Sequence, residues 1–276
     1  MQLTTPEFDR PGVTVISGGT QGLGEAVARK LAADGSRGLV LAGRSRERGE
    51  ALAAELSSDG TPTIFIPADV SDAAAPQAIV DACVTEFGVV DGVANIAAKT
   101  SRSTLFGETI EHFDQMMAVN VRAPFFLAKA AASVMIDQGV AGSIVNVGST
   151  SGFGGQAKLS AYSISKGALS TLTKNLAFSL MRHKIRVNQI SPGWMETESE
   201  HKVQTEQDGA PENWLELAGP ARPFGRLVQP WEAANAIAYC LSPASGLMTG
   251  NIIVIDQSVQ GAGNPPIPAD EDTVRF

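Results

Sequence analysis

Val13-Thr14-Val15-Ile16-Ser17-Gly18-Gly19-Thr20-Gln21-Gly22-Leu23-Gly24-Glu25-Ala26-Val27-Ala28-Arg29-Lys30-Leu31-Ala32-Ala33 holds three local structures in one run. Val13 to Ser17 is a short apolar stretch ending at a glycine pair, the pattern of a buried strand. Glu25 to Ala33 spaces its apolar residues as a helix does. Between them Gly18, Gly22 and Gly24, with Thr20, Gln21 and Leu23, form a glycine-rich turn. A strand, such a turn and a helix offer free backbone N–H groups and the positive end of a helix dipole, which together hold a pyrophosphate. The spacing is Gly-x-x-x-Gly-x-Gly, and a plain tight turn between strand and helix would read alike.

The same alternation continues outward. Leu39 to Arg44 reads as a second strand, Thr63 to Ala68 as a third, Val89 to Ala98 as a fourth with its loop. Ser143 to Gly148, Ile185 to Ile190 and Gly250 to Asp256 complete seven. Helical patterns separate them at 47–56, 74–87, 109–138, 160–182 and 230–241. Strands alternating with helices predict an α/β fold: a doubly wound, Rossmann-type, seven-stranded parallel sheet with helices on both faces. No linker interrupts it, so 1–276 reads as a single domain, with a core of about 11–261. Residues 195–228 break the rhythm, are polar and carry Gly209, Pro211, Gly219, Pro220 and Pro223, which predicts a lid over a site. The tail at 264–276 is Pro-rich and charged and is expected to be loose.

Composition bounds the function. The chain of 276 residues is 43% hydrophobic and carries a net charge of −8, which argues against nucleic acid as a partner. No run of about 18 apolar residues indicates a membrane span, and the polar start at 1–11 lacks a signal-peptide pattern, so a cytoplasmic protein is the expectation. Cys83 and Cys240 lie in apolar periodic segments and read as small buried hydrophobes. Three scattered histidines lack ligand spacing, so no metal site is expected.

The second strand ends on Gly43, where an acidic residue commonly binds the ribose of NAD, and Arg44, Ser45 and Arg46 follow. Arg44 and Ser45 would meet a 2′-phosphate, which favours NADP with NAD as the alternative. Asp69 and Val70 follow the third strand; Asp69 either accepts from an adenine amino group or caps the next helix. Asn120, mid-helix and followed by Pro124, is unfavourable by propensity and reads either as a functional position or as a polar contact. Ser149 ends the fifth strand, and Tyr162 and Lys166 stand one helical turn apart on the next helix. An ammonium near a phenol lowers its pKa from about 10 and makes it a usable acid/base for an alcohol or ketone. A Tyr-x-x-x-Lys pair alone is a common surface pattern.

In this order and spacing the motifs resemble the short-chain dehydrogenase/reductase family over about 11–261. The residues that carry the resemblance are Gly18, Gly22, Gly24, Asp69-Val70, Asn95-Ile96-Ala97-Ala98, Asn120, Ser149, Tyr162, Lys166, Pro192-Gly193 and Thr197. The resemblance implies Tyr162 as acid/base, Lys166 as the group that tunes it and holds the nicotinamide ribose, Ser149 on the substrate oxygen and Asn120 keeping a relay water. It implies that Asn95 and Ala97 border the cofactor and that Pro192, Gly193, Met195 and Thr197 meet its nicotinamide end. The implied reaction interconverts a secondary alcohol and a ketone by hydride transfer. The polar lid points to a small, sugar- or polyol-like substrate, with a 3-oxoacyl thioester, a steroid or terpenoid ketone, or a non-catalytic NADP sensor as alternatives. The family's habit implies a homotetramer or homodimer through helices 109–138 and 160–182, whose Met116, Met117, Ala130, Ala131, Ala132 and Met135 suit either that interface or the core. Two departures stand out. Ile96 and Ala98 replace the family's usual Asn and Gly, and Gln257-Ser258 replaces Gly-Gly, where they would reach either a cofactor pocket or a neighbouring subunit.

Overall fold

All five residues of β1 (Val13–Ser17) are buried, which requires a strand on each edge and cover on both faces. The structure, a computed structural model, describes residues 12–154 and 156–259. The polar start at 1–11 and the tail at 264–276 lie outside the described residues. β2 (Gly38–Gly43) and β4 (Gly92–Asn95) flank β1, and β3 (Thr63–Pro67), β5 (Ser143–Val147), β6 (Arg186–Pro192) and β7 (Ile252–Ile255) extend the sheet. The order is β3-β2-β1-β4-β5-β6-β7 and every neighbouring pair is parallel. The chain works outward from β1 to β3, then crosses to β4. That reversal opens a crevice at the carboxyl ends of β1 and β4, where parallel sheets of this kind bind ligands.

Strand residues alternate between two cores, as the period of two demands. Ile16, Leu39, Leu41 and Ile190 pack with Val27 and Leu31 of α1 (Gly22–Ala33) and Ile237 of α9 (Pro230–Leu241). Val15, Val40, Val93 and Ile144 pack on the opposite face with Ile79 of α3 (Ala75–Phe87) and Leu127 and Met135 of α5 (Ala123–Gln138). Each fully buried Leu or Ile contributes roughly 1.5–3 kcal/mol. Cys83 and Cys240 are buried free thiols, each in one of these cores.

The expected helix at 109–138 begins as predicted, with the Thr109 hydroxyl accepting from the His112 N–H at 3.1 Å. It is not one α-helix. α4 (Ile110–Met117) runs into a π-helical turn (Ala118–Arg122) before α5. Pro124 explains the change of register, because it has no N–H to give to the carbonyl of Asn120 four residues back. Ile110–Gln138 is long and apolar enough to cross a membrane by composition, yet half of its apolar window is buried inside the protein. Met116, Ala130, Ala131, Ala132 and Met135 are all buried within this chain, so intramolecular packing accounts for them.

α6 (Ser160–Leu180) follows β5, and α2 (Arg46–Ser58) follows β2. The irregular segment at 195–228 contains two short helices, α7 (Glu198–Lys202) and α8 (Trp214–Ala218), and leaves and rejoins the sheet at one point, where Met195 and Val228 bridge.

Candidate active site

The cleft lies over the carboxyl ends of the strands and encloses about 1130 Å3. Its floor is the turn after β1. Gly18 has φ +73°, and a Cβ there would stand 2.8 Å from the Ala97 Cα. A Cβ on Gly24 would meet the Gly18 carbonyl oxygen at 1.9 Å, so α1 starts directly against the turn only because residue 24 is glycine. Gly22, Thr20, Gln21 and Leu23 complete the cradle and face the cleft. Bare backbone at a helix N-terminus fits the diphosphate of a dinucleotide.

Arg44 and Ser45 line the cleft beside the turn. Of the three nearby arginines, Arg46 pairs with Glu50 at 2.9 Å and Arg48 pairs with Glu198 at 2.9 Å. Among the described residues Arg44 forms no ion pair, and Ser45, which precedes α2, makes no capping hydrogen bond. A side chain at Gly43 would collide with Thr20 Cγ2 at 2.9 Å, which shuts out the acidic residue that often stands there.

Asp69 and Val70 line the cleft. Asp69 accepts from the Ser71 N–H at 2.9 Å and the Ser71 hydroxyl at 2.7 Å, and these bonds hold its carboxyl below the usual range. The departure at Ile96 has a local reason. Ile96 packs against the hydrophobic core, while its N–H and that of Ala97 bond to the Ser17 carbonyl at 3.2 and 2.9 Å. Ala97 and Ala98 face the cleft.

Ser149, Tyr162 and Lys166 converge there from β5 and α6. The Lys166 ammonium is buried, lies 5.6 Å from the centre of the Tyr162 ring and donates to the Val147 carbonyl at 2.7 Å. Burial lowers its pKa from 10.5 to about 8. Burial also pushes the Tyr162 phenol up, against the expectation of a depressed phenol; the Ser149 hydroxyl pulls it down, Glu200 up and Arg102 down. Pro192, Gly193, Met195 and Thr197 form the opposite wall at the end of β6.

Asn95 and Asn120 are the expected site residues that do not line the cleft. Asn95 is 3% exposed and donates to Asn146 Oδ1 at 2.8 Å, its register partner on β5. Asn120, on the π turn, accepts from the Lys99 N–H at 2.8 Å and donates to the Lys99 carbonyl at 3.0 Å and to Ser165 Oγ at 2.9 Å. Ser165 in turn donates to the Tyr162 carbonyl at 2.7 Å. The side chain of Asn120 therefore fixes the loop after β4 against α6.

The segment at 195–228 and the residues packed against it add contacts that sequence patterns do not flag. Arg102 pairs with Glu200 at 3.0 Å and Asp208 at 3.1 Å, and Lys158 with Asp208 at 3.2 Å. Trp194 stacks on Trp214 at 5.4 Å and donates to Glu200 at 2.8 Å. Arg222 lies over the Trp194 ring at 4.6 Å. Gln257 accepts from the Phe224 N–H at 2.8 Å and donates to the Arg226 carbonyl at 2.5 Å, so it holds residues 224–226 of its own chain. Cationic side chains outnumber acidic ones along the cleft, although the whole chain is acidic. Such a cleft attracts anions. No group of acidic, histidine or cysteine side chains suited to a metal occurs among the described residues.

A family model described as "Enoyl-(Acyl carrier protein) reductase" matches residues 18–259. An uncharacterized oxidoreductase of Thermotoga maritima is 32% identical over 247 residues, 88% of this chain and 94% of that protein. The 2-dehydro-3-deoxy-D-gluconate 5-dehydrogenase of Dickeya dadantii is 31% identical over 189 residues, 68% of this chain and 73% of that protein. Among solved structures, a short-chain dehydrogenase/reductase from Serratia marcescens is similar at TM-score 0.79 and 31% identity, covering 90% of this chain and 97% of that one.

Proposed function

The chain belongs to the short-chain dehydrogenase/reductase family, and from that premise we propose that it interconverts a secondary alcohol and a ketone on a small, polar, sugar- or polyol-like substrate. The observation that carries this reading is the convergence of Ser149, Tyr162 and Lys166 on one cleft, above a glycine turn shaped for a dinucleotide. A nicotinamide cofactor, when bound, supplies the two-electron redox chemistry. The residues supply the proton and the positioning. Tyr162, protonated at neutral pH because it is buried, gives its proton to the ketone oxygen. Ser149 holds that oxygen, and Lys166 holds a positive charge beneath the phenol. Asn120 braces the floor through Lys99, and its main-chain carbonyl, which Pro124 cannot cap, is the group to keep a relay water near Lys166.

NADP is the preferred cofactor on this reading. Arg44 and Ser45 supply an uncommitted charge and hydroxyl at the place where a 2′-phosphate would lie. A polar substrate follows from the lid, whose Ser199, Glu200 and Lys202 face the cleft. The enzyme is read as a cytoplasmic homotetramer or homodimer acting on free small molecules, without membrane or nucleic-acid partners. Exposed Phe125, Phe126 and Phe178 on α5 and α6 suit such contacts between subunits.

The test is a screen of ketones and alcohols with NADPH, NADP, NADH and NAD, following the absorbance of the reduced cofactor. Wild-type turnover that falls by about 10²–10⁴-fold in Tyr162→Phe, with cofactor affinity retained, supports the reading. Full activity in that variant removes Tyr162 from the chemistry.

A further inference from the structure

We propose that Arg222 is a specificity residue that anchors a carboxylate of the substrate, so that this cleft takes a hydroxy acid and its keto acid in preference to a neutral polyol. The inference rests on the alcohol–ketone reading of the same site and narrows its substrate class.

Arg222 sits near the end of the lid, held between Gly219 and Gly225 by backbone bonds of 2.9 and 2.8 Å. It lines the same cleft as Ser149 and Tyr162. Its guanidinium lies 4.6 Å from the centre of the Trp194 ring, and Trp194 is itself stacked on the buried Trp214. An aromatic face beneath a guanidinium fixes its plane and leaves the N–H edge free to donate. Among the described residues, Arg222 Nε is buried without a hydrogen-bond partner, and the guanidinium forms no ion pair.

The neighbouring charges are matched. Arg102 is answered by Glu200 and Asp208, Lys158 by Asp208, and Lys202 by Glu198 at 2.8 Å. These three cations and three anions are therefore engaged with one another, while Arg222 forms no ion pair among the described residues. A buried charged donor without an acceptor is costly, and a ligand that brings one is bound in proportion. The ligand best matched to a planar fork of N–H donors is a carboxylate, whose two oxygens accept in parallel. Glu200 donates nothing and sits close by on Trp194, which disfavours a dianion such as a phosphate ester and suits a single negative charge. Lys99 also lines the cleft and is the competing anchor for an anion.

The experiment compares matched pairs with NADP: D-gluconate against D-sorbitol, other aldonates against their alditols, and D-sorbitol 6-phosphate as the phosphate arm. Wild type, Arg222→Gln, Arg222→Lys and Lys99→Gln are assayed. The expected result is a kcat/KM for the acids at least about tenfold above that for the alditols in wild type. Arg222→Gln should raise KM for the acids about 10- to 100-fold with a much smaller effect on the alditols, and Arg222→Lys should restore part of the loss because charge returns without the fork. Preference for the alditols or the phosphate ester overturns the proposal. So does an acid preference that survives Arg222→Gln but disappears in Lys99→Gln. Turnover of alditols without any acid preference defeats this inference alone; no turnover of any secondary alcohol or ketone defeats the parent reading and this one with it.

Discussion

Lys166 Nζ donates a 2.7 Å hydrogen bond to the carbonyl of Val147, the last residue of β5. That bond ties α6 to the strand end that delivers Ser149, and it is made by an ammonium removed from water. The folded-state pKa of about 8 lies below the ordinary 10.5, so between these values the unfolded chain binds the extra proton. Stability on this group's account therefore rises as pH climbs through that window, and the burden is fully present below about 8. Its full size is on the order of 3 kcal/mol.

Lys166→Met should abolish turnover while sparing the fold. At neutral pH it removes a buried charge but orphans the Val147 carbonyl, and a lost buried partner costs about 1–3 kcal/mol, so the two effects nearly offset. Thermal melts should give similar midpoints for variant and wild type near neutrality, with wild type gaining on the variant as pH rises from 8 to 10.5. A difference independent of pH would mean that Lys166 is not buried as a cation.

Tyr162 should give the two reaction directions different pH profiles. Its phenol is pushed up by burial, so the protonated form that serves ketone reduction predominates at neutral pH. Alcohol oxidation needs the phenolate and should accelerate on the alkaline side, while reduction should not. Rates in both directions across pH, at saturating cofactor, check this; an oxidation rate flat through the alkaline range would contradict it.

Asn120→Ala should loosen the floor of the site. The substitution removes bonds to both main-chain groups of Lys99 and to Ser165. At about 1 kcal/mol net per bond, a loss of roughly 2–4 kcal/mol is expected in denaturant unfolding. Amide exchange at Lys99, whose N–H bonds to Asn120 at 2.8 Å, should speed up in step. Unchanged protection at that amide would show that the loop is held by other contacts.

Arg44→Ala should raise KM for NADP by about 10- to 100-fold, the range expected for a charge-assisted contact, and leave KM for NAD nearly unchanged. Steady-state kinetics with both cofactors decide it. A wild-type enzyme with the higher kcat/KM for NAD would remove the 2′-phosphate role from Arg44 and Ser45.

The sheet and α6 were legible because their signals are local. Val13–Ser17, the glycines behind it and the four-residue step from Tyr162 to Lys166 all report on neighbours in sequence. The π turn was not legible as such: residues 109–138 keep a helical pattern throughout, and Pro124 and Asn120 marked a fault without saying how the backbone would absorb it. The direction of Asn95 depends on strand register. Its pairing with Asn146 turns it away from the cleft, although Ala97, two residues on, faces in. The ion pairs of Arg102 with Glu200 and Asp208 join residues about a hundred positions apart through an irregular segment, where no periodicity can announce a partner. Arg222 was hidden for the same reason.

The segment at 195–228 departs after Trp194 and returns at Val228, with the Val228 N–H bonded to the Trp194 carbonyl at 3.0 Å and the Glu196 N–H to the Val228 carbonyl at 2.9 Å. Its ends thus meet at a fixed doorway, and Trp214 within it stacks on Trp194 at that doorway. Closing a longer or shorter excursion across the same doorway changes the entropy by only about 0.6 kcal/mol per doubling of length. A longer or shorter segment can therefore close across the same doorway while Ser149, just past the end of β5, and Tyr162 and Lys166, on α6, keep their places.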